Sequence, residues 1–254
     1  TAESVSRTLE YAYDDWCVAQ MAKDLGKTED YNRLMQFSQN YRNQYNAEKG
    51  FFLPRNYDGS WIDLDDHSRH GLTEGSKWTY LFCVLQDIPG MIDMMGGEKA
   101  FSAKLDRNFE EDHYRHDNEP GHHYIYLYNY CNEPWKTQEL ARKHVRINYK
   151  NSPDGVNGND DCGQMSAWYL FSAMGFYPVN PIGGEYILGA PQVEEVTISL
   201  PNDKTFTMQA KGLSHENKYV KSVTWNGKPV ENFRIHHSEI MKGGELVFVM
   251  TDKY

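Results

Sequence analysis

The hydrophobic pattern of the chain changes near residue 181, and this change constrains the fold more than any other feature of the sequence. Before it, apolar residues recur at helical spacing, for example at Leu9, Ala12 and Trp16. After it, apolar and polar residues alternate over several short segments, as they do in half-buried strands. The sequence therefore predicts a mainly α fold with a C-terminal antiparallel β unit, divided into domains over residues 1–180 and 181–254.

The same patterns predict individual elements. Helices are expected over about 3–25, 28–46, 74–95, 97–109, 135–149 and 161–174. Strands are expected over Val193–Leu200, Thr205–Ala210, Val220–Trp225 and Glu245–Met250. Pro89 should kink or end the third helix, because proline lacks the N–H that a helix interior requires. Asn226-Gly227 predicts a tight hairpin turn. The paired helices suggest an α/α toroid layout.

Charge and cysteine content limit the classes of partner. Asp and Glu number 36 against 26 Lys and Arg, which gives a formal net charge of −10. No long basic run is present, so nucleic acid is not expected as a partner. No stretch approaches the roughly 18 apolar residues that a membrane-spanning helix needs, so membrane insertion is not expected. The four cysteines are far apart and form no CxxC pair, which predicts buried free thiols rather than a zinc or redox motif.

Two adjacent acids, Asp160 and Asp161, lie between glycines at the expected start of a helix. Carboxylates in this position can cap the helix, ligate a metal or act as a general base. The helix dipole favours their ionised form, which suits a base or a metal ligand better than an acid. The pattern alone leaves the helix cap and the functional site equally open.

Thr73 and Glu74 form a second polar cluster at an expected helix start. Thr73 could cap the helix, and Glu74 could be an ordinary first-turn acid favoured by the dipole. If Glu74 instead donates a proton, burial against an aromatic residue such as Trp78 must outweigh the dipole and raise its pKa. Spacing alone favours the ordinary first-turn acid.

A third cluster, residues 116–130, combines His116, Asp117, Asn118 and Glu119 with a run of tyrosines. No HExxH motif is present, and two adjacent histidines cannot chelate zinc from one helix face. Oxygen ligands such as Asn118 and Glu119 suit calcium better. Tyrosines with polar partners are typical of a sugar pocket, although an ordinary polar loop between helices also explains the segment.

Other enzyme signatures are absent from the sequence. It contains no GxSxG motif, no P-loop and no GxGxxG motif. The remaining carboxylates and aromatic residues are the groups that glycoside hydrolysis uses.

Several of these segments resemble glycoside hydrolase family 92. The similarity is most specific over residues 158–169, Gly-Asn-Asp-Asp-Cys-Gly-Gln-Met-Ser-Ala-Trp-Tyr, followed by Gly-Phe-Tyr-Pro-Val at 175–179. Further similar segments are Asn-Glu-Pro-Gly-His-His at 118–123, Pro-Trp-Lys-Thr-Gln at 134–138, Gly-Phe-Phe-Leu-Pro-Arg at 50–55 and Thr-Glu-Gly at 73–75. The resemblance implies a calcium-dependent, inverting exo-α-mannosidase with an (α/α)6 catalytic barrel. The chain would supply an incomplete toroid with a small β-sandwich-like region, and its partner would be the preceding N-terminal part of the same protein.

The resemblance also implies roles for individual residues. Glu74 matches the general acid, and Asp161, with Asp160 as the second choice, falls where the family has its base. Calcium would be held by Asn118, Glu119 and Asp161. The substrate-binding residues would be His116, Asp117, Thr73 and Lys136.

These assignments imply removal of terminal mannose from α-linked mannosides or N-glycans. The His116-Asp117 pair lies where members that prefer α-1,2 linkages have His-Glu, which suggests α-1,2 preference. A secreted, periplasmic or cell-surface location is implied as well. The alternative is a truncated, non-catalytic fragment that binds mannose and needs its N-terminal half.

Overall fold

The computed structural model describes residues 2–201 and 203–254. The chain forms two compact units, the first ending at Arg115 and the second beginning at His116. Each unit has its own elements and is described separately.

The first unit is mainly helical. Its elements are α1 (Ser4–Asp24), α2 (Thr28–Phe37), a 3-10 helix (Asn40–Gln44), β1 (Tyr45–Asn46), β2 (Phe51–Phe52), α3 (Ile88–Met94) and α4 (Glu98–Glu110). Helix α1 buries Val5, Leu9 and Ala12 because they recur at helical spacing on one face. Helices α1, α2 and α4 confirm three predicted helices, although α2 ends nine residues before the predicted bound at 46.

The predicted helix over 74–95 is wrong for most of its length, because residues 74–87 form consecutive turns and bends. The apolar spacing around Trp78 suggested one helix face. In the structure, however, Trp78, Tyr80, Leu81, Phe82 and Val84 are all buried, so the segment has no single apolar stripe. Short-range backbone bonds such as Leu81 N to Trp78 O replace the helical pattern.

Pro89 starts a helix instead of ending one. It lies in the first turn of α3, where its missing N–H would have had no helical partner. The carboxylate of Asp87 caps this helix by accepting a hydrogen bond from the backbone N–H of Gly90 at 3.0 Å. The predicted kink at Pro89 is therefore wrong.

The second unit begins with helical segments. They are two 3-10 helices (Glu119–Gly121 and Tyr124–Cys131), α5 (Pro134–Asn148), α6 (Gln164–Met174) and a 3-10 turn at Pro181–Gly183. Gly175 ends α6 in the left-handed region with φ 87°, and a β-carbon there would lie 2.8 Å from the backbone nitrogen of Pro191. Only glycine fits this close turn into the first strand.

Two sheets complete the second unit. Their strands are β3 (Phe176–Asn180), β4 (Glu185–Leu188), β5 (Glu195–Leu200), β6 (Lys204–Lys211), β7 (Tyr219–Trp225), β8 (Lys228–Pro229), β9 (Arg234–His236) and β10 (Gly244–Thr251), with a short helix α7 (His237–Ile240) before β10. The sheet orders are β3-β4-β9 and β5-β6-β10-β7-β8. Buried residues of both sheets, including Phe176, Leu188, Phe206 and Phe248, share one core.

The four predicted strands are confirmed as β5, β6, β7 and β10. Among the strands that the structure describes, pairing is antiparallel except that β10 runs parallel to β6. The intervening segment that contains β7, β8 and β9 is long enough for this crossover. Asn226 and Gly227 both have positive φ and join β7 to β8, which confirms the hairpin turn.

The structure thus shows helices followed by mainly antiparallel sheets. The (α/α)6 toroid and the boundary at 180/181 remain predictions. The four cysteines are free thiols, but only Cys131 is buried and Cys162 is exposed, so the expectation of buried thiols is wrong for the others. Among the described residues, no helix has the length and apolar character to cross a membrane.

Candidate active site

Asp160 caps helix α6. Its Oδ1 accepts a hydrogen bond from the backbone N–H of Ser166 at 2.8 Å, and its Oδ2 accepts one from the Ser166 hydroxyl at 3.0 Å. The helix begins at Gln164, so neither acid stands in its first turn as predicted. Both oxygens of Asp160 are therefore bound to groups at the helix terminus, where a carboxylate stabilises unsatisfied N–H groups.

Asp161 has a different environment. Its backbone is in the left-handed region with φ 43°, as is that of Cys162 with φ 58°. Its side chain is exposed and makes no hydrogen bond or ion pair within residues 2–201 and 203–254. Non-glycine residues rarely adopt this conformation, and it turns the carboxylate away from the bonds that hold Asp160.

A buried network links the 116–122 segment to the first turns of α6. Tyr149 donates its hydroxyl hydrogen to the backbone carbonyl of Met165 at 3.0 Å, so it accepts a hydrogen bond from Nε2–H of His116 at 2.9 Å. The ring of His116 also packs edge-on against Trp168, with 4.3 Å between ring centroids.

His122 forms a second link in this network. Its Nε2 is 3.0 Å from the backbone carbonyl of His116, which can only accept, so Nε2 carries the hydrogen. Its Nδ1 therefore accepts from the side-chain amide of Gln164 at 3.2 Å, and the same amide donates to the hydroxyl of Tyr177 at 3.1 Å. Trp168 Nε1 donates to the His122 carbonyl at 2.9 Å.

Burial keeps these histidines neutral. It lowers the pKa of His116 to about 3, with further lowering from His122 and His144, and it lowers the pKa of His122 below its ordinary value. The pKa of the nearby His144 falls to about 4 for the same reason. Neutral rings match the hydrogen-bond directions deduced for His116 and His122.

The segment that follows His116 contacts the loop that carries the two acids. A β-carbon placed on Gly158 would lie 2.9 Å from Cβ of Asp117, and Gly158 has φ 83°. Asn118 precedes the 3-10 helix that starts at Glu119, and both side chains are half-buried. The fold of the second unit therefore packs the 116–119 segment against the 158–161 loop.

The tyrosines of this segment do not line a pocket. Tyr124, Tyr126 and Tyr128 are at most 1% exposed, and Tyr126 stacks on Tyr177. The Tyr126 hydroxyl donates to Ser172 at 2.8 Å in the interior. The interpretation as the wall of a sugar pocket is therefore wrong for these three tyrosines, because they lie in the interior of the second unit.

An open cavity of about 1100 Å³ lies in the second unit beside this loop. It is bordered by the end of α5, the 149–158 loop and the exposed side of α6. Its polar lining includes Arg146, Tyr149, Asp160 and Ser166.

The first unit contains Thr73 and Glu74. Glu74 is exposed, has φ 53° and lies in a turn, so it starts no helix and Thr73 caps none. Thr73 is instead fixed to α1, since its backbone N–H donates to the hydroxyl of Ser6 at 3.1 Å and the two hydroxyls lie 2.9 Å apart.

Lys136, the last predicted binding residue, lies in the first turn of α5. Its ammonium forms an ion pair with Glu133 at 3.1 Å and lies 5.1 Å from the ring centre of Tyr128. It is half-buried.

The oxygen donors predicted for calcium lie on the 116–119 segment and on the 158–161 loop. Asn118, Glu119 and Asp161 offer only amide and carboxylate oxygens, which are the ligands that calcium prefers, and the contact of Asp117 with Gly158 joins their two segments. Within the described part of the chain, no group of three or more His, Cys, Asp or Glu is arranged to hold a metal. The residue types of Asn118, Glu119 and Asp161 fit calcium, and their role as its ligands remains a prediction.

Comparison with known proteins decides the family. The model of the glycosyl hydrolase family 92 catalytic domain matches residues 1–252. The chain belongs to glycosyl hydrolase family 92. The resemblance inferred from the sequence motifs is thus confirmed.

Solved structures of family 92 enzymes are closely similar. One is an α-mannosidase from Bacteroides thetaiotaomicron in complex with mannoimidazole, with a TM-score of 0.95 and 39% identity over 100% of this chain and 37% of that one. Another is an inverting mannosidase from B. thetaiotaomicron VPI-5482, with a TM-score of 0.93 and 36% identity over 100% of this chain and 38% of that one.

A curated relative is described as an uncharacterized secreted glycosidase from Arthroderma benhamiae. It is 31% identical over 97% of this chain and 35% of its own length. The chain therefore spans little more than a third of the relatives that it matches.

Proposed function

We propose that the protein to which this chain belongs is an inverting exo-α-mannosidase that removes terminal mannose from α-linked mannosides, including N-glycans. Family membership supports the hydrolase class, and two solved relatives that are mannosidases support the sugar. The observation that carries the proposal is the contrast between the two adjacent acids. Asp160 is held by Ser166, whereas Asp161 is exposed and accepts no hydrogen bond from the described residues.

In this proposal Asp161 is the general base. A solvent-exposed, ionised carboxylate can remove a proton from a water molecule as that water attacks the anomeric carbon. Asp160 supports the reaction indirectly by fixing the start of α6 and with it the loop from which Asp161 projects.

Glu74 is the proposed general acid, which protonates the glycosidic oxygen on the opposite face of the sugar ring. It is exposed rather than buried against Trp78 as the sequence-based prediction required of an acid, and it starts no helix, so no helix dipole acts on it; a substrate can reach it. In inverting glycosidases the two carboxyl groups are about 6.5–9.5 Å apart, which leaves room for the attacking water. This separation is what the proposal requires of Glu74 and Asp161 in the substrate complex.

Calcium is the proposed cofactor, held by Asn118, Glu119 and Asp161. When bound, it would supply a positive charge for ordering sugar hydroxyls near the base. His116, Asp117, Thr73 and Lys136 are proposed to contact the mannoside or to shape its site. Asp117 is shorter than the Glu of α-1,2-preferring members, and a preference for α-1,2 linkages is part of the proposal.

The experiment that tests the function is hydrolysis of a panel of α-linked mannobiosides by the full-length protein, followed by proton NMR. Inversion predicts that β-mannose is the first product. Release of α-mannose would contradict it, and the rates on the panel give the linkage preference. Secretion, which the secreted relative supports, would place such an enzyme outside the cytoplasm or at the cell surface.

A second candidate function is mannose binding without cleavage. The observation that favours it is that one solved relative holds mannoimidazole. Calorimetry with mannose and the hydrolysis assay, both run on this chain alone, separate the two functions. Binding without cleavage predicts heat on titration with mannose and no released mannose in the hydrolysis assay.

A further inference from the structure

We propose that Tyr149 and Gln164 are positioning residues that hold the 116–119 segment in register with the 158–161 loop. The inference deepens the proposed function, because these two segments carry the proposed calcium ligands and the proposed base. Neither residue was among the candidates predicted from the sequence.

The Tyr149 hydroxyl forms the first link. Its hydrogen goes to the carbonyl of Met165 in the first turn of α6, and its oxygen accepts from the His116 ring. One phenolic oxygen therefore connects the start of the 116–119 segment to the helix that directly follows the acid loop. The ring of Tyr149 is fixed as well, since it stacks on Trp168 with an interplanar angle of 4°.

The Gln164 amide forms the second link. It donates to Nδ1 of His122 and to the Tyr177 hydroxyl, while His122 Nε2–H donates to the His116 carbonyl. The 116–122 segment is thus attached to α6 at both of its ends, through His116 and through His122.

The two links flank the place where the segments touch. Asp117, next to His116, contacts Gly158, and Asn118 and Glu119 lie between the two histidines. In the 158–161 loop, Asp161 lies three residues before Gln164. Loss of either link lets one segment move relative to the other, and hydrogen-bonded partners that orient ligands commonly change metal affinity or activity 10–100-fold when removed.

The Tyr149→Phe variant removes the hydroxyl and retains the ring stack. Tyr169→Phe is its matched control, since Tyr169 is exposed, contacts Tyr149 only through its ring and has no hydroxyl bond within the described ranges. Both are made in the full-length protein. Calcium alone is titrated by calorimetry, kcat and KM are measured on an α-mannobioside, and melting temperatures are recorded.

We expect Tyr149→Phe to weaken calcium binding or lower kcat about tenfold, with KM changed less and Tyr169→Phe unchanged. Equal calcium affinity and kcat in the two variants would overturn the proposal, even if Tyr149→Phe melts earlier. If Tyr149→Phe fails to fold, Gln164→Met is measured by the same criteria.

Histidine nitrogen NMR of the unmodified protein gives a test that needs no activity. The proposal expects both His116 and His122 as neutral rings with the hydrogen on Nε2, and a shift of the His116 signal in Tyr149→Phe. The opposite tautomer at either ring would refute the described links. Absence of mannosidase activity in the full-length protein would contradict the proposed function. The histidine tautomers and the calcium titration would still test the positioning role of Tyr149 and Gln164.

Discussion

Gly158 lies so close to Asp117 that a β-carbon on the glycine would be 2.9 Å from Cβ of Asp117 and 3.1 Å from its carbonyl oxygen. The glycine therefore sets how closely the acid loop approaches the 116–119 segment. A side chain at position 158 would have to separate these two segments, because part of the contact is with backbone.

Gly158→Ala is expected to destabilise the protein by about 2–4 kcal/mol, through the clash and through the cost of φ 83° for a residue with a β-carbon. Gly163→Ala is the matched control, since Gly163 has φ 90° but no atom lies within 4 Å of the place that its β-carbon would take, and it should cost about 1 kcal/mol. Urea unfolding measures both. Equal losses would show that the contact with Asp117 has no energetic role.

Asp160→Asn and Asp161→Asn should separate a structural from a catalytic acid. Loss of the charged cap at Asp160 should cost about 1 kcal/mol of stability. Asp161→Asn should leave the melting temperature nearly unchanged and lower kcat on an α-mannoside about 10²–10⁴-fold, because the water loses its base. Stability and kcat are measured on the same preparations. A fully active Asp161→Asn enzyme would remove Asp161 from the mechanism.

Glu74→Gln should lower kcat most for substrates with poor leaving groups, since only these need protonation. An aryl α-mannoside with an acidic phenol should recover much of the rate, whereas a mannobioside should not. The comparison needs steady-state kinetics on both substrates. An equal loss on the two substrates would argue against the role of Glu74 as the acid.

Calcium should raise the melting temperature as well as activity. A ligand that binds only the folded state at 100 times its Kd stabilises by about 2.7 kcal/mol. Chelation should remove this gain, and Asn118→Ala or Glu119→Gln should reduce it. Asp154→Asn is the control, since Asp154 lies in the same region of the chain and is not a proposed ligand. Melting curves with and without chelator, together with the same curves in magnesium, provide the measurement.

Acid should destabilise the second unit through His144. Burial lowers its folded-state pKa from 6.5 to about 4, so the unfolded state binds more protons between these values. The stability contributed by the neutral ring is complete above pH 6.5 and is lost as pH falls to about 4, amounting to roughly 3 kcal/mol. His144→Gln should flatten this part of the stability curve. An unchanged slope would assign the acid sensitivity to other groups.

The sequence patterns predicted regular elements well where one face is buried and the other is exposed. The alternation in β5 and β6 follows directly from that arrangement, and so does the apolar stripe of α1. The helix predicted over 74–95 is wrong at residues 78–84 because these residues are buried on several sides. The spacing of their apolar side chains therefore does not indicate a helical period. Pro89 was placed on the wrong side of a helix boundary because the cap at Asp87 was not recognised.

The candidate site was only partly predictable from the sequence. The motif identified the family and drew attention to Asp160 and Asp161, but their division into cap and exposed carboxylate depends on the left-handed backbone at Asp161. The spacing of apolar residues in the sequence does not indicate that backbone conformation. Tyr149 lies just after α5 and has no motif of its own, so its link between His116 and Met165 becomes visible only in three dimensions.

The order of strands in the larger sheet has a consequence for synthesis. Strand β10 is the last of its five strands in the chain, yet it lies between β6 and β7 at the centre of the sheet. Before β10 is added, the strands of this sheet can pair only as two separate hairpins, β5–β6 and β7–β8, and the edges of β6 and β7 that β10 later covers stay unpaired. The core that includes Phe206 and Phe248 therefore stays incomplete until β10 is added.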